Sequence, residues 1–216
     1  MKDKNENAVS IIGGADGPTS VFTADGEGKK TLKLRAQNHI HRYKYELAEK
    51  KITAGTHTLD ELITYAGQKY DLVEVNPDEV QYIEQRKELK ESLILQHKPE
   101  LLGEMKDIAA PDFSSEASVK EFLYKLQARS EMIAEMPDHV IPMDFHLYEI
   151  RIDEDSLEME IDYIWNIFSI SCSGNRKTMR QFQKISRDLY LYYGVNEEDI
   201  REKTQRYRAL AAALSE

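Results

Sequence analysis

The densest run of chemically active side chains lies between residues 29 and 51. There Lys29, Lys30, Lys33, Arg35, Arg42, Lys44, Lys50 and Lys51 face only Glu46 and Glu49, so eight cations against two carboxylates leave a local net of +6. His39, His41, Tyr43 and Tyr45 interleave with them. Cations with interleaved aromatics fit an anionic partner: RNA, DNA, an acidic protein face or a membrane surface. Lys33, Arg35, Arg42 and Lys44 are the candidate patch. The plainer reading, a solvated helix face pairing with acidic neighbours, carries the greater weight, because charge clustering alone is poorly specific. On a helix His39 and His41 point to different sides and cannot share a metal ion.

Two further groupings deserve a chemical reading. Ser171-Cys172-Ser173-Gly174-Asn175 leads into Arg176, and a loop opening a helix can hold an anion on its backbone N–H groups, with Ser173, Gly174 and Arg176 as candidates. It is not a Walker loop. Cys172 stands four positions before Arg176, closer than a cysteine-phosphatase loop requires. A lone cysteine after an apolar strand is more often simply buried. Glu158, Glu160 and Asp162 alternate along one predicted strand face, a spacing that suits a divalent ion or a basic partner. Such a row is more often the solvent face of a half-buried sheet. The six histidines show no zinc-like pairing, and neither a nucleophile elbow nor a dinucleotide fingerprint occurs, so no catalytic residues, metal site or resident cofactor are expected.

Residues 1–30 differ in kind. Five of the ten glycines fall there, and Ser10 to Phe22 reads Ser-Ile-Ile-Gly-Gly-Ala-Asp-Gly-Pro-Thr-Ser-Val-Phe. Glycine and proline in this density predict two short extended pieces, Ile11-Ile12 and Val21-Phe22, joined by a tight loop. Gly13, Gly14, Asp16, Gly17, Pro18, Thr19 and Ser20 are the residues of this loop that a partner would read. The run Gly13 to Thr19 closely resembles a signature of the β subunit of sodium-ion-translocating decarboxylases, over about a dozen of the 216 residues. The resemblance implies an interrupted membrane helix in which Asp16 is a carboxylate ligand for sodium, with Thr19 or Ser20 as a hydroxyl neighbour. It makes sodium the one ion to consider.

That family's subunit crosses the membrane many times, and this sequence does not look able to do so. Its longest stretch without a charged residue is Tyr163 to Asn175, thirteen residues, against about 20 for a spanning helix. No apolar run follows Met1-Lys2-Asp3-Lys4, so a secretory signal is not expected, and a single cysteine suits a reducing, cytoplasmic setting. The net charge of −10 argues against broad nucleic-acid binding by the surface as a whole. The expected function is a non-enzymatic interaction protein whose partner is another protein and whose recognition element is the 10–22 segment. The alternatives are an accessory part of a sodium-pumping decarboxylase and a nucleic-acid-binding or regulatory protein using residues 29–51.

The elements that must position these residues follow from periodicity. Helical spacing runs through Leu32, Ala36, Ile40, Tyr43 and Leu47. Capping-box patterns at Thr58/Glu61 and Ser118/Glu121 predict two helix starts, and a charged helix is expected from Pro77 to about Gln96. Alternation at Tyr148, Ile150 and Ile152, a turn at 153–156, and apolar odd positions from Leu157 to Ile167 predict a β-hairpin, with a bulge at Phe168. Two more helices are expected, one through Met179, Phe182, Ile185, Leu189 and Tyr193 to Gly194, and one from Glu197 to the end. The fold class is α+β, with five or six helices around a small antiparallel sheet. Residues 1–30 form an appended segment and 31–216 a single domain.

Overall fold

The computed structural model describes Gly13–Gly14, Gly17–Pro18 and residues 32–215, with side chains for His39, Ile40 and positions 42–215. In chain order the elements are β1 (Gly13–Gly14), β2 (Gly17–Pro18), α1 (Leu32–Glu49), β3 (Gly55–Thr56), α2 (Leu59–Lys69), β4 (Leu72–Glu74) and α3 (Val80–His97). A 3₁₀ stretch at Pro99–Lys106, α4 (Glu116–Glu135) and a 3₁₀ turn at Asp138–Val140 follow. The chain continues through β5 (Phe145–Ile152), β6 (Asp155–Asp162), β7 (Ile167–Ser173), α5 (Arg176–Tyr193), β8 (Gly194–Val195), α6 (Glu197–Glu202) and α7 (Gln205–Ser215). The fold is α+β, with one four-stranded sheet ordered β4-β5-β6-β7. The chain divides into two compact units: Met1–Glu74 with Leu147–Ile161 and Phe168–Glu216, and Val75–His146 with Asp162–Ile167. Where the sequence suggests one domain over 31–216, the chain crosses between these units four times.

In the first unit, α2 is set by its cap. Thr58 Oγ1 accepts the Glu61 N–H at 3.2 Å, and the Glu61 carboxylate accepts the Thr58 N–H at 2.8 Å. The helix then buries Leu59, Leu62 and Ala66. Gly67 lies inside it, so the break comes later, at Tyr70. β4 pairs antiparallel with β5, Leu72 opposite Ile150 and Glu74 opposite Tyr148. Leu147, Leu157, Met159 and Ile161 supply the strands' fully buried side chains. The Phe168 ring lies 4.8 Å from that of Tyr190 and 5.2 Å from that of Tyr193, which brings α5 onto the sheet. α5 also packs on α2 and α7, and α7 packs on α1.

Asn175 caps α5, and Gly194 ends it with φ +63°, a conformation that favours glycine. Gly194 and Val195 then pair antiparallel with Thr56 and Gly55. The single last helix expected from Glu197 is instead two. α6 stops at Lys203, which is left-handed at φ 49°, and α7 starts at Gln205. The break has a local cause: the Asp199 carboxylate accepts the Asn196 N–H at 3.0 Å and the Thr204 hydroxyl at 2.6 Å, turning the chain back on the short helix. Tyr207, Leu210 and Val195 then bury together with Ile52, Tyr190, Ile200 and Leu214 around them.

In the second unit, α3 and α4 pack together with the Pro99–Lys106 stretch around Leu89, Leu93, Ile94, Leu102 and Ile133. The Arg129 Nε donates to Glu91 at 2.8 Å, tying α4 to α3. Lys90 is buried and donates to the Met136 carbonyl at 2.5 Å, which satisfies a cation that burial would otherwise penalise. Ser115, not Ser118, caps α4. Ser115 Oγ accepts the Ser118 N–H, while the Ser118 hydroxyl accepts the Asp112 N–H and fastens the preceding turn.

The long alternating run from Leu157 to Ile167 is not one strand. β6 ends at Asp162, and residues 163–166 form a turn that closes with Asn166 at φ 52°. The change of face at Phe168 therefore follows from this turn.

Candidate functional site

Four residues of the N-terminal motif are described, as two short paired strands. Gly13 pairs with Pro18 and Gly14 with Gly17, antiparallel, and Gly17–Pro18 runs next to α7 in the same unit. Only Ala15 and Asp16 separate the paired positions in sequence. Asp16, Thr19 and Ser20, and the extended pieces expected at Ile11-Ile12 and Val21-Phe22, lie outside the described residues.

The basic candidates all fall on α1. Lys33 and Arg35 belong to its backbone, with no described side chains. Arg42 donates to Glu46 at 3.1 Å, one turn along an exposed face, and Lys44 is exposed. The other carboxylate of the segment, Glu49, accepts from Lys203 at 2.9 Å and from the Tyr207 hydroxyl at 3.2 Å. The hydrogen bond to Glu49 raises the pKa of Lys203; burial and the same carboxylate raise that of Tyr207. These contacts pin α1 to the α6–α7 corner.

At the start of α5 the expected anion position holds a side chain of the protein itself. The Asn175 side-chain oxygen accepts the Lys177 and Thr178 N–H groups at 2.9 and 3.3 Å. The Asp155 carboxylate accepts the Asn175 N–H at 3.2 Å and its side-chain amide at 2.7 Å. A Cβ at Gly174 would stand 2.8 Å from the Asp155 carboxyl carbon, so glycine is what lets this carboxylate approach. Ser173 and Arg176 flank the loop, both exposed. An added anion would have to displace Asp155.

The three strand carboxylates separate into two roles. Glu160 accepts from the Ser169 hydroxyl at 3.0 Å and Glu158 from that of Ser171 at 3.4 Å, both across β6–β7. Asp162 is not on a solvent face. It is fully buried, and its oxygens accept the Asp144 N–H at 3.0 Å and the Trp165 N–H at 2.9 Å. Among the described residues no group of His, Cys, Asp and Glu could hold a metal ion, and no helix is long and apolar enough to cross a membrane.

No family model, no curated protein and no solved structure matches this chain. The function must therefore be argued from the chain's own residues.

The densest polar cluster was not visible from spacing, because it joins α2 to a residue more than a hundred positions away. Asp188, on α5, accepts from the Tyr65 hydroxyl, the Tyr70 hydroxyl and the Lys69 ammonium, each at 2.8 Å. The Tyr192 ring stacks between Tyr65 at 3.9 Å and His57 at 4.0 Å, and the His57 Nδ1 donates to the Tyr192 carbonyl at 2.6 Å. Tyr65 and Lys69, four apart on α2, were the only local hint. The electrostatics set the cluster's character. Burial raises Asp188, but the donations from Lys69, Tyr70 and Tyr65 outweigh it and hold the carboxyl below its ordinary value. Burial and the hydrogen bond to Asp188 push the Tyr70 phenol up to about 12. Lys69 is raised by its hydrogen bonds to Asp188 and Tyr65. Each group is driven further into its resting protonation state, the opposite of what a general base or a nucleophilic amine needs. The cluster is a clasp between α2 and α5.

Arg206 makes a second clasp. It donates to the carbonyls of Gly194 at 2.7 Å and Tyr193 at 2.6 Å and to the Thr56 hydroxyl, with its guanidinium 3.5 Å above the Tyr193 ring. The forked donor set holds α7 to the β3–β8 pair.

Proposed function

We propose that this chain is a non-enzymatic interaction protein that presents residues 10–22 to a partner protein as a recognition element. The observation that carries this reading is the antiparallel pairing of Gly13–Gly14 with Gly17–Pro18 beside α7. Strands paired this close in sequence offer a short segment to a partner's surface, and Asp16 is the one charged residue between Ser10 and Phe22. The Asp188 cluster supports it further, since its hydrogen bonds hold α2 to α5 and favour the resting protonation states of Asp188, Tyr70 and Lys69. A reading as an accessory of a sodium-pumping decarboxylase rests on the motif resemblance, and the same experiment separates it.

The test compares three forms in a pull-down from native cell lysate: the intact chain, a form without residues 1–28, and Asp16→Asn. Circular dichroism of each form verifies folding. The expected result is a partner held by the intact chain and lost from the other two, with equal retention in sodium and potassium buffers. Retention of membrane decarboxylase subunits in sodium alone would establish the accessory reading instead. If all three forms hold the same partners, or none, the 10–22 segment is not a recognition element.

A further inference from the structure

We infer that α5 carries a docking surface for the phosphate backbone of a double-stranded nucleic acid, separate from residues 10–22. Arg176, Arg180, Lys184 and Arg187 follow one another at steps of three and four, so they form one row along the helix. All four are exposed, as is Lys177 beside them. The opposite side of α5 buries Thr178, Phe182, Leu189 and Tyr193, so the row faces away from the core. Among the described residues none of these five cationic side chains has an ion pair or a hydrogen-bond partner. Surface cations elsewhere differ: Arg42 pairs with Glu46, Lys120 with Glu116 and Lys125 with Glu121, each one turn away. The one acid on α5, Asp188, is engaged by Lys69, Tyr65 and Tyr70. Asp155, at the start of the helix, is engaged by Asn175.

The make-up of the row selects the occupant. From Arg176 to Arg187 it spans about 16 Å at the helical rise, a length over which one strand of a duplex presents about five phosphates. Guanidinium groups, which form most of the row, match phosphate oxygens two at a time. Asn175 already takes the N–H groups of Lys177 and Thr178, so the contacts belong to side chains. An acidic protein would gain about 1 kcal/mol or less from each exposed ion pair and would need an apolar anchor. A single strand would need aromatic side chains for its bases, and the row holds none. A bilayer-bound helix sets leucine, phenylalanine or tryptophan beside its basic face, whereas Leu191 is the one large apolar side chain exposed on α5. Cations alone suffice for a duplex backbone, where binding draws on counterion release and reads no sequence. The acidic remainder of the chain opposes every polyanion alike, so it lowers the affinity without choosing among them.

The test titrates the full chain into a fluorescent duplex of about 20 base pairs, as RNA and as DNA, over a series of salt concentrations. Single-stranded RNA, phosphatidylserine vesicles and a polyglutamate peptide serve as competing probes. Either duplex should bind at low salt, with log affinity falling against log salt at a slope of about −3 to −4, as four neutralised phosphates require. Arg180→Gln with Arg187→Gln should weaken duplex binding at least about tenfold and bring the slope about 2 closer to zero. Lys120→Gln with Lys125→Gln removes the same charge from α4 and should leave affinity and slope unchanged. Circular dichroism verifies that each variant is folded. Equal losses from the α5 and α4 pairs would show general attraction rather than a site and overturn the proposal. So would a loss confined to Arg42→Gln with Lys44→Gln, a single strand, vesicle or polyglutamate bound more tightly than the duplex, or no duplex binding at low salt.

Discussion

Asp162 closes the turn between β6 and β7 by accepting backbone N–H groups on its buried carboxylate. Burial raises its pKa, against the hydrogen bonds from Trp165, Asp144 and Ile164 that lower it. Leaving those backbone donors without acceptors costs about 1 to 3 kcal/mol each when they are buried. Asp162→Ala is therefore expected to lower the unfolding free energy by about 2 to 4 kcal/mol, read from urea denaturation at pH 7. A change below about 0.5 kcal/mol, the size of an ordinary surface substitution, would show that the turn stands without the carboxylate. This role was hidden in the sequence. Tyr163, Trp165 and Ile167 continue the apolar alternation straight through the turn, and Asn166, which tolerates a left-handed backbone, was the only turn-type residue there. Trp165 occupies the turn with its indole N–H donating to the Pro142 carbonyl at 2.8 Å.

Elements whose start or stop has a local chemical cause were the most legible. The Thr58/Glu61 box and the stop at Gly194 both follow from residue types within one turn of the boundary. The start of α4 shifted by three residues because Ser115 and Ser118 are equally good caps, and Asp112 decides between them by donating its N–H to Ser118. The break between α6 and α7 was illegible because Lys203 carries no left-handed signal of its own; the Asp199–Thr204 bond imposes it. Periodicity likewise found α1 but not which side of it faces inward, since that depends on α7. At Gly194 the local cause can be tested. Its φ is +63°, and a Cβ there would overlap the Gly55 carbonyl oxygen in the β3–β8 pair. Gly194→Ala must distort either the end of α5 or that pairing, so a loss of at least about 2 kcal/mol is expected. A thermal midpoint equal to that of the parent protein would mean the β3–β8 pair contributes little to holding α5 and α7 together.

Across the whole molecule the functional site is less legible than the fold. The candidates read from sequence are local runs, whereas the Asp188 clasp needs α2 and α5 to be folded before its members meet. Its effect should appear in the stability of the chain as a function of pH. Asp188 has a folded pKa below its ordinary value of 3.8, so its contribution is present above that value and is lost as pH falls through the lower, folded one. Asp162 has the opposite sign: its raised pKa contributes stability below 3.8 that is lost as pH rises through the folded value. The two oppose each other in acid, and removing one should expose the other. Asp188→Asn keeps an acceptor for the tyrosines but ends the pairing with Lys69, and with the carboxylate partly exposed the loss at pH 7 is expected to be about 1 kcal/mol. The difference between parent and variant should shrink as pH falls below 3.8, because the parent then protonates the same group. Unfolding free energies measured from pH 7 down to about 2.5 decide the matter. Converging curves locate the acid sensitivity in the α2–α5 clasp. Parallel curves would mean that Asp188 titrates alike in the folded and unfolded chain and that the clasp is held by its stacked rings rather than by its charge.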